Sequence, residues 1–165
     1  MLVGGGTGEL LEHFSASQTV DYVEPSTSML KRSKKRNYSC TVHFHPCSIQ
    51  ELPINKTYDA LVFPFVLDLF NQTEVTNIIK KCEPFLRDDA VILISDFYPA
   101  DDFIKRWKKL LLRTVIVFFR MTTNHQHSKI VNIHNALQSS DYKKVRSEEF
   151  YHGMVFASVW KKVVH

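Results

Sequence analysis

The sequence predicts an α/β protein with a Rossmann-like, doubly wound sheet that is mostly parallel and ends in an antiparallel hairpin. Short apolar runs alternate with helical stretches through the first two thirds of the 165 residues, whereas the last third contains two alternating runs joined by His152 and Gly153. Runs too apolar to keep one face in water are typical of parallel strands covered by helices on both sides. Alternating runs around a short turn are typical of a hairpin.

Each element follows from its local pattern. Strands are predicted at residues 1–3, 19–23, 41–45, 60–64 and 90–95, and helices at 9–16, 27–36, 74–86 and 101–121. Residues 142–151 and 154–162 alternate and predict the last two strands. The first strand is short, since central strands usually run ~5–6 residues. We therefore expect one domain over residues 1–165 without an N-terminal lid, or a natural chain that begins upstream of Met1.

A glycine-rich turn follows the first predicted strand. It consists of Gly4, Gly5, Gly6, Thr7 and Gly8. Glycine adopts backbone conformations that side chains forbid, and it lets a ligand lie against bare backbone N–H groups. Glu24 closes the next apolar run, where a carboxylate can accept the two hydroxyls of a ribose. Together they predict a site for a nucleotide-like ligand at the carboxyl edge of the sheet.

Charge does not favour a nucleic-acid partner. The net charge is +4, and five of the cations follow one predicted helix, namely Lys31, Arg32, Lys34, Lys35 and Arg36. Cations are favoured at the C-terminal end of a helix by its dipole and by water. We therefore expect a solvated helix end there rather than a phosphate-binding patch.

Cysteine usage and the apolar runs indicate a cytoplasmic protein. Three cysteines without a C-x-x-C spacing suggest neither a disulfide framework nor a zinc knuckle. The chain enters the glycine turn at once, without the basic and apolar regions of a secretory signal. The longest apolar run, residues 110–119, is interrupted by Arg113 and is shorter than the ~20 residues that span a bilayer. No transmembrane segment is expected.

The order of these motifs resembles that of the class I S-adenosylmethionine-dependent methyltransferases. The glycine turn is similar to the family's G-x-G-x-G turn, Glu24 to its ribose-binding acid, and residues 47–53 to its G-D-A-x-x-L-P stretch. Residues 58–69 are similar to the segment whose backbone flanks the transferable methyl group. Residues 82–97 are similar to the helix, proline turn and strand that follow. The resemblance covers essentially the whole chain.

The resemblance implies a seven-stranded sheet of order 3-2-1-4-5-7-6 and S-adenosyl-L-methionine as the cofactor. The cofactor-binding residues that it implies are Gly4, Gly5, Gly6, Thr7, Gly8, Glu24, Pro25, Ser48, Ile49, Pro64 and Phe65. Two positions depart from the family pattern. Leu2 stands where the family often has an acid, and Ser48 stands where an acid would accept from the adenine amine. A serine hydroxyl can still accept that N–H group.

Catalytic and substrate residues are less specific in the sequence, because methyl transfer chiefly needs alignment and exclusion of water. Asp68 could orient or deprotonate an acceptor, or could be a helix N-terminal acid. Asp96 and Tyr98 follow the fifth strand, at the substrate edge or in a turn. His125 lies in a polar loop that borders the substrate cavity or is simply solvated. No metal is expected, since His125 and His127 have no Asp or Cys nearby to complete a ligand set. His43 and His45 share one face of a strand and could bind a metal, but the wetter face of an outer strand is the favoured interpretation.

An unusually apolar helix is predicted from Trp107 through Phe119. It favours core packing or a homodimer, with a wall for an apolar acceptor or a membrane-surface role as alternatives. The leading function is methyl transfer to a small, apolar acceptor. The alternatives are a non-catalytic cofactor-binding or interaction domain and a dinucleotide oxidoreductase. A nucleic-acid methyltransferase is disfavoured, because Phe63, Pro64 and Phe65 lack the amide that would hold a base nitrogen.

Overall fold

A seven-stranded sheet forms the centre of the computed structural model, which describes residues 1–97, 137 and 141–163. The strands are β1 (Leu2–Val3), β2 (Thr19–Val23), β3 (Thr41–His45), β4 (Tyr58–Pro64), β5 (Leu86–Phe97), β6 (Tyr142–Phe150) and β7 (Val155–Lys162). They lie in the order β3-β2-β1-β4-β5-β7-β6. The first five strands pair in parallel, and β7 is antiparallel to both β5 and β6. The predicted fold class and strand order are confirmed.

The helices begin and end where local side chains dictate. Within residues 1–97 and 141–163, the α-helices are α1 (Thr27–Ser33) and α2 (Gln72–Cys82). Helix α2 begins earlier than predicted, because Asn71 and Glu74 form a capping box on each other's backbone N–H groups. It ends at Cys82, before Pro84, and a 3₁₀ turn over Glu83–Phe85 leads into β5.

The predicted helix at 9–16 is wrong in type and length. A 3₁₀ helix covers Glu9–His13 instead. The side chain of Gln18 accepts from the N–H of Ser15 at 2.7 Å, which offers the backbone a local alternative to a further helical turn. The predicted helix at 101–121 lies outside the described residues.

Two hydrophobic clusters cover the two faces of the sheet. Val3, Phe63, Ile92 and α2 belong to one cluster, which β7 extends with Trp160. Leu2, Tyr22, Leu11 and Leu30 belong to the other. Although β1 has two residues, Leu2 and Val3 point to opposite faces and are at most 3% exposed. Strand β1 therefore ties both clusters to the middle of the sheet.

The final hairpin has the turn that the sequence predicts. Tyr151, His152 and Gly153 all adopt a left-handed backbone conformation. The N–H of Met154 then donates to the carbonyl of Phe150 at 3.2 Å, which closes the turn. This geometry brings β7 back between β5 and β6.

Candidate functional site

A cavity of about 510 Å³ opens at the carboxyl ends of β1, β2 and β4. Its lining is mostly apolar, with a few polar side chains from the loops. The lining residues are Val3, Gly4, Gly6, Val23, Glu24, Pro25, Ser26, Met29, Ser48, Ile49, Gln50, Glu51, Phe65, Val66, Leu69 and Phe70.

Seven of the residues predicted to bind a cofactor meet at this cavity. They are Gly4, Gly6, Glu24, Pro25, Ser48, Ile49 and Phe65. The other four, Gly5, Thr7, Gly8 and Pro64, are not among the lining residues. Gly5 lies against the Tyr22 ring, Thr7 faces Glu9 and Arg36, Gly8 packs on Ser33, and Pro64 pairs with Ser95 of β5.

The glycine turn offers its bare backbone to the cavity at one point in particular. Gly6 has a φ of +60°, and a Cβ built on it would meet nothing within 4 Å. The neighbouring Gly5 is different, since a Cβ there would lie 2.3 Å from the Tyr22 ring. Gly5 is therefore required for packing beneath the turn, and Gly6 keeps the cavity side of the turn open.

The backbone groups of this turn are largely used within the protein. The N–H groups of Gly4, Gly6 and Gly8 donate to the carbonyl of Val23, to the Glu24 carboxylate and to the carbonyl of Gly5. The expectation of bare N–H donors is therefore wrong for these three glycines. The turn instead leaves space free of side chains, so that a ligand can approach the backbone closely.

Tyr22 of β2 and Glu24, which directly follows β2, fix Gly6. Glu24 is 7% exposed, and its two carboxylate oxygens accept from the N–H groups of Gly6 and Ser26, each at 2.9 Å. The Tyr22 hydroxyl donates to the carbonyl of Gly6 at 2.7 Å. Burial raises the pKa of Tyr22, so this hydroxyl keeps its proton. Both polar backbone groups of Gly6 are thus held by side chains in β2 or directly after it.

Arg36 holds the far end of the same turn, which the sequence did not indicate. Its Nε donates to the carbonyl of Thr7 at 2.8 Å, and its guanidinium pairs with Glu9 at 3.0 Å and Glu12 at 2.7 Å. The expected solvated helix end is therefore wrong for Arg36. These partners lie 24 to 29 residues away along the chain, so no local pattern could have shown them.

A second turn, after β3, brings Ser48 and Ile49 to the cavity. The Glu51 carboxylate accepts from the N–H of Ser48 at 3.1 Å. From α2, the Lys81 ammonium donates to the carbonyls of Ile49 at 2.9 Å and Gln50 at 2.5 Å. Neither Glu51 nor Lys81 was predicted as a site residue. The spacing of Ser48 and Glu51 could have shown the first, but Lys81 is 32 residues from Ile49.

Phe65 presents a phenyl ring to the cavity in a strained conformation. Its φ is +52°, which is rare for a bulky side chain, and its N–H donates to the carbonyl of Ser95 at 2.7 Å. Phe65 is 39% exposed, and the centroid of its ring lies 5.3 Å from that of Phe97. Its exposure and strained backbone make it a wall of the cavity rather than part of the core.

Asp68 and Asp96 meet beside the cavity without lining it. Asp96 is fully buried and accepts from the N–H groups of Phe97 at 2.8 Å and Asp68 at 3.2 Å. Oδ1 of Asp68 is buried without a hydrogen-bond partner among the described residues. Burial raises the pKa of Asp68 to about 6. Burial and the nearby Asp68 charge raise the pKa of Asp96 well above its usual range.

The other side chains that the sequence singled out do not line the cavity or lie outside the described residues. Asp68 lies in the first turn of a three-residue 3₁₀ helix, Leu67–Leu69, and α2 begins only at Gln72. Tyr98 and His125 lie outside the described residues. His45 is engaged elsewhere, with its Nε2 2.9 Å from Asp21, which also pairs with Lys56 at 2.6 Å.

Neither a metal centre nor a membrane span is found in the described part of the chain. In residues 1–97, 137 and 141–163, no three His, Cys, Asp or Glu side chains are grouped to hold a metal ion. Within the same ranges, no helix has the length and apolar composition needed to cross a bilayer.

Similar solved structures share this architecture at low sequence identity. Magnesium protoporphyrin IX methyltransferase from Synechocystis PCC 6803, solved with bound SAH, is 16% identical with a TM-score of 0.68; 98% of this chain and 72% of that chain are covered. Mitomycin 7-O-methyltransferase is 17% identical with a TM-score of 0.72, over 98% and 48% of the two chains. A SAM-dependent methyltransferase from Leishmania major is 17% identical with a TM-score of 0.67, over 97% and 63%.

These likenesses show the fold, and this chain spans less than two thirds of the length of the last two proteins. No curated protein sequence matches the chain. A family model described as a methyltransferase domain matches residues 1–89, which is more than half of the 165 residues. The chain therefore belongs to the methyltransferase domain family, as its resemblance to the class I S-adenosylmethionine-dependent methyltransferases predicted.

Proposed function

We propose that this chain, as one domain, binds S-adenosyl-L-methionine in the cavity and transfers its methyl group to a small, apolar acceptor. The observation that carries the proposal is the cavity at the carboxyl edge, where Gly6 leaves open space beside the buried carboxylate of Glu24. Its volume of about 510 Å³ falls within the ~300–1,000 Å³ of small-molecule sites. Switch points of such sheets are the usual ligand sites of this architecture.

The lining of the cavity fits a nucleoside. Each Glu24 oxygen accepts one backbone N–H and keeps a further lone pair, so the carboxylate can also accept from ribose hydroxyls. Ile49 and Met29 offer apolar surface to a planar base. Phe65, Val66 and Leu69 provide an apolar wall that excludes water near the end of β4.

The cofactor supplies an electrophilic methyl group, so the work of the protein is alignment and exclusion of water. A base helps where the acceptor must lose a proton. Asp68 suits that role, because a pKa of about 6 leaves it ionised at neutral pH and its Oδ1 has no partner among the described residues. Asp96 then serves as a positioning residue that holds the N–H of Asp68. Tyr98 and His125 stay predictions for the substrate side.

Calorimetry with three ligands tests the cofactor. S-adenosylmethionine and S-adenosylhomocysteine should bind the purified chain, and NAD should not. Tighter binding of NAD would instead favour the oxidoreductase interpretation.

A transfer assay tests the reaction. Radiolabelled S-adenosylmethionine is incubated with the protein and small apolar compounds that carry a carboxylic acid, a phenol, an amine or a thiol. Labelled product is expected from at least one class. Cofactor binding without transfer to any of them would contradict the enzymatic proposal and favour the non-catalytic cofactor-binding domain.

A further inference from the structure

A row of apolar side chains runs along the carboxyl edge of the sheet, away from the cavity. In the pairing of β5, β7 and β6, Phe97 lies opposite Val155, and Val155 lies opposite Phe150. Residues directly opposite each other in adjacent strands point to the same face. At the cavity end, the centroid of the Phe97 ring lies 5.3 Å from that of Phe65. We call Phe65, Phe97, Val155 and Phe150 the edge row.

The edge row is not part of the core. In the described part of the chain, neither hydrophobic cluster includes any of its four members. Phe65 is 39% exposed and Phe150 is 43% exposed, so the row offers apolar surface to solvent at both ends. Phe65 also lines the cavity, which makes the row continuous with the proposed cofactor site.

Strained backbone residues lie at both ends of the edge row. Among the described residues, the non-glycine residues with a left-handed backbone are Phe65 (φ +52°), Tyr151 (φ +53°) and His152 (φ +57°). Phe65 begins the row, and the other two directly follow Phe150 in the chain. Side chains disfavour this conformation, and it is found most often where a protein holds a ligand.

We propose that the edge row binds the apolar tail of the methyl acceptor while the reactive group of the acceptor lies in the cavity. This inference rests on the proposed function, because it names the class of acceptor. The row crosses three inter-strand spacings from β4 to β6, so it fits a tail of about 14 Å. The acceptor is therefore a compound with a reactive group at one end and an extended hydrocarbon tail.

The shape of the edge row fits a single hydrocarbon chain rather than a protein partner. The next residues on the same face of these three strands are Ser95, Ala157 and Glu148, so the apolar surface is one residue wide. A strip of this width, ~14 Å long, is far smaller than the ~800 Å² that each partner buries in a stable protein interface. A hydrocarbon chain is narrow enough to lie along it.

A series of 4-alkylphenols, from 4-ethylphenol to 4-octylphenol, tests the edge row by calorimetry with and without saturating S-adenosylhomocysteine. Affinity should rise about two- to fourfold for each added methylene, because each one buries apolar surface against the row. Phe150→Ser should lower the affinity for 4-octylphenol about fivefold or more and leave that for 4-ethylphenol unchanged, since the short tail does not reach β6.

Two further variants serve as controls. Val145 is an exposed apolar residue of β6 outside the edge row, so Val145→Ser should bind the whole series as wild type does. Phe150→Leu keeps an apolar side chain, so it should retain most of the gain with tail length. Phe150 is itself partly exposed, and all three variants are therefore expected to fold.

The outcomes separate this inference from the proposed function. If no 4-alkylphenol binds, if affinity does not rise with tail length, or if Phe150→Ser weakens short and long tails equally, the edge row is not a tail site. If light scattering shows that Phe150→Ser converts a dimer into a monomer, a second copy covers the row and the tail site is likewise overturned. If wild type does not bind S-adenosylhomocysteine, the proposed function is wrong, and the series measured without it still decides the role of the edge row.

Discussion

Glu24 has two roles: it holds backbone N–H groups within the protein, and it is proposed to bind the ribose of the ligand. Its buried carboxylate already ties Gly6 and Ser26 to the end of β2. Sequence alone suggested only the ribose role, because the spacing from the glycine turn shows that an acid is present but not which N–H groups it accepts from. An acid that shapes the turn before any ligand arrives also preorganises the site.

Replacement of Glu24 should therefore affect both binding and stability. We expect Glu24→Ala to weaken S-adenosylhomocysteine binding by ~1–3 kcal/mol, because charge-assisted hydrogen bonds are lost. Thermal unfolding should also begin at a lower temperature, since two backbone N–H groups lose their acceptor. Calorimetry and circular dichroism measure the two effects. Unchanged affinity in a folded variant would remove the ribose assignment.

The pair Asp68 and Asp96 makes folding stability depend on pH. Because the folded pKa of Asp68 is about 6, against 3.8 for an unperturbed aspartate, the folded chain holds this proton more tightly. The stabilisation is complete below pH 3.8 and is lost as pH rises through about 6. Asp96 is shifted in the same direction.

Asp68→Asn should accordingly raise the free energy of unfolding above about pH 6 and make it less dependent on pH. We expect the free energy of unfolding, measured with urea at pH 7.5, to rise by ~1–3 kcal/mol. One pKa unit corresponds to about 1.4 kcal/mol, and water still reaches part of Asp68. The same variant should transfer methyl groups more slowly if Asp68 accepts the acceptor's proton. Asp89→Asn serves as an exposed control. An equal fall in stability from pH 4 to pH 6 in wild type and Asp68→Asn would contradict the assignment.

Elements were predicted well where the pattern is local. The bounds of β2 and β3 are the ones that the sequence predicts. The helix at 9–16 failed because Ser15 and Gln18 bond locally. The contacts of Arg36 and Lys81 with the two turns could not be predicted, since they join segments that only the folded sheet brings together.

The glycine turn as an element can be tested with a pair of variants. Gly6→Val should abolish S-adenosylhomocysteine binding while the fold survives, because the branched side chain enters open space on the cavity side at a φ that costs some stability. Gly5→Ala should instead lower the unfolding temperature, because its methyl group would lie 2.3 Å from the Tyr22 ring. Calorimetry and thermal denaturation read the two effects. Normal binding by Gly6→Val would show that the turn is not the site.

At the scale of the whole molecule, the sequence predicts self-association through the apolar stretch from Trp107 through Phe119, which lies outside the described residues. Its apolar residues exceed what one small core needs. Light scattering at micromolar concentration should therefore show a species larger than a monomer. A clean monomer without aggregation would contradict this prediction.

The insertion of β7 between β5 and β6 has a consequence for biosynthesis. Ile92 pairs with Trp160, so β5 has a neighbour on only one side until the ribosome has made β7. Until then, an apolar strand with an unpaired edge is available to other chains. Sheets built from such distant pairings fold slowly, and their partly made forms aggregate readily. Nascent chains that end before β7 should therefore depend on chaperones. The sheet can be completed only after Lys162, the last residue of β7, has left the exit tunnel.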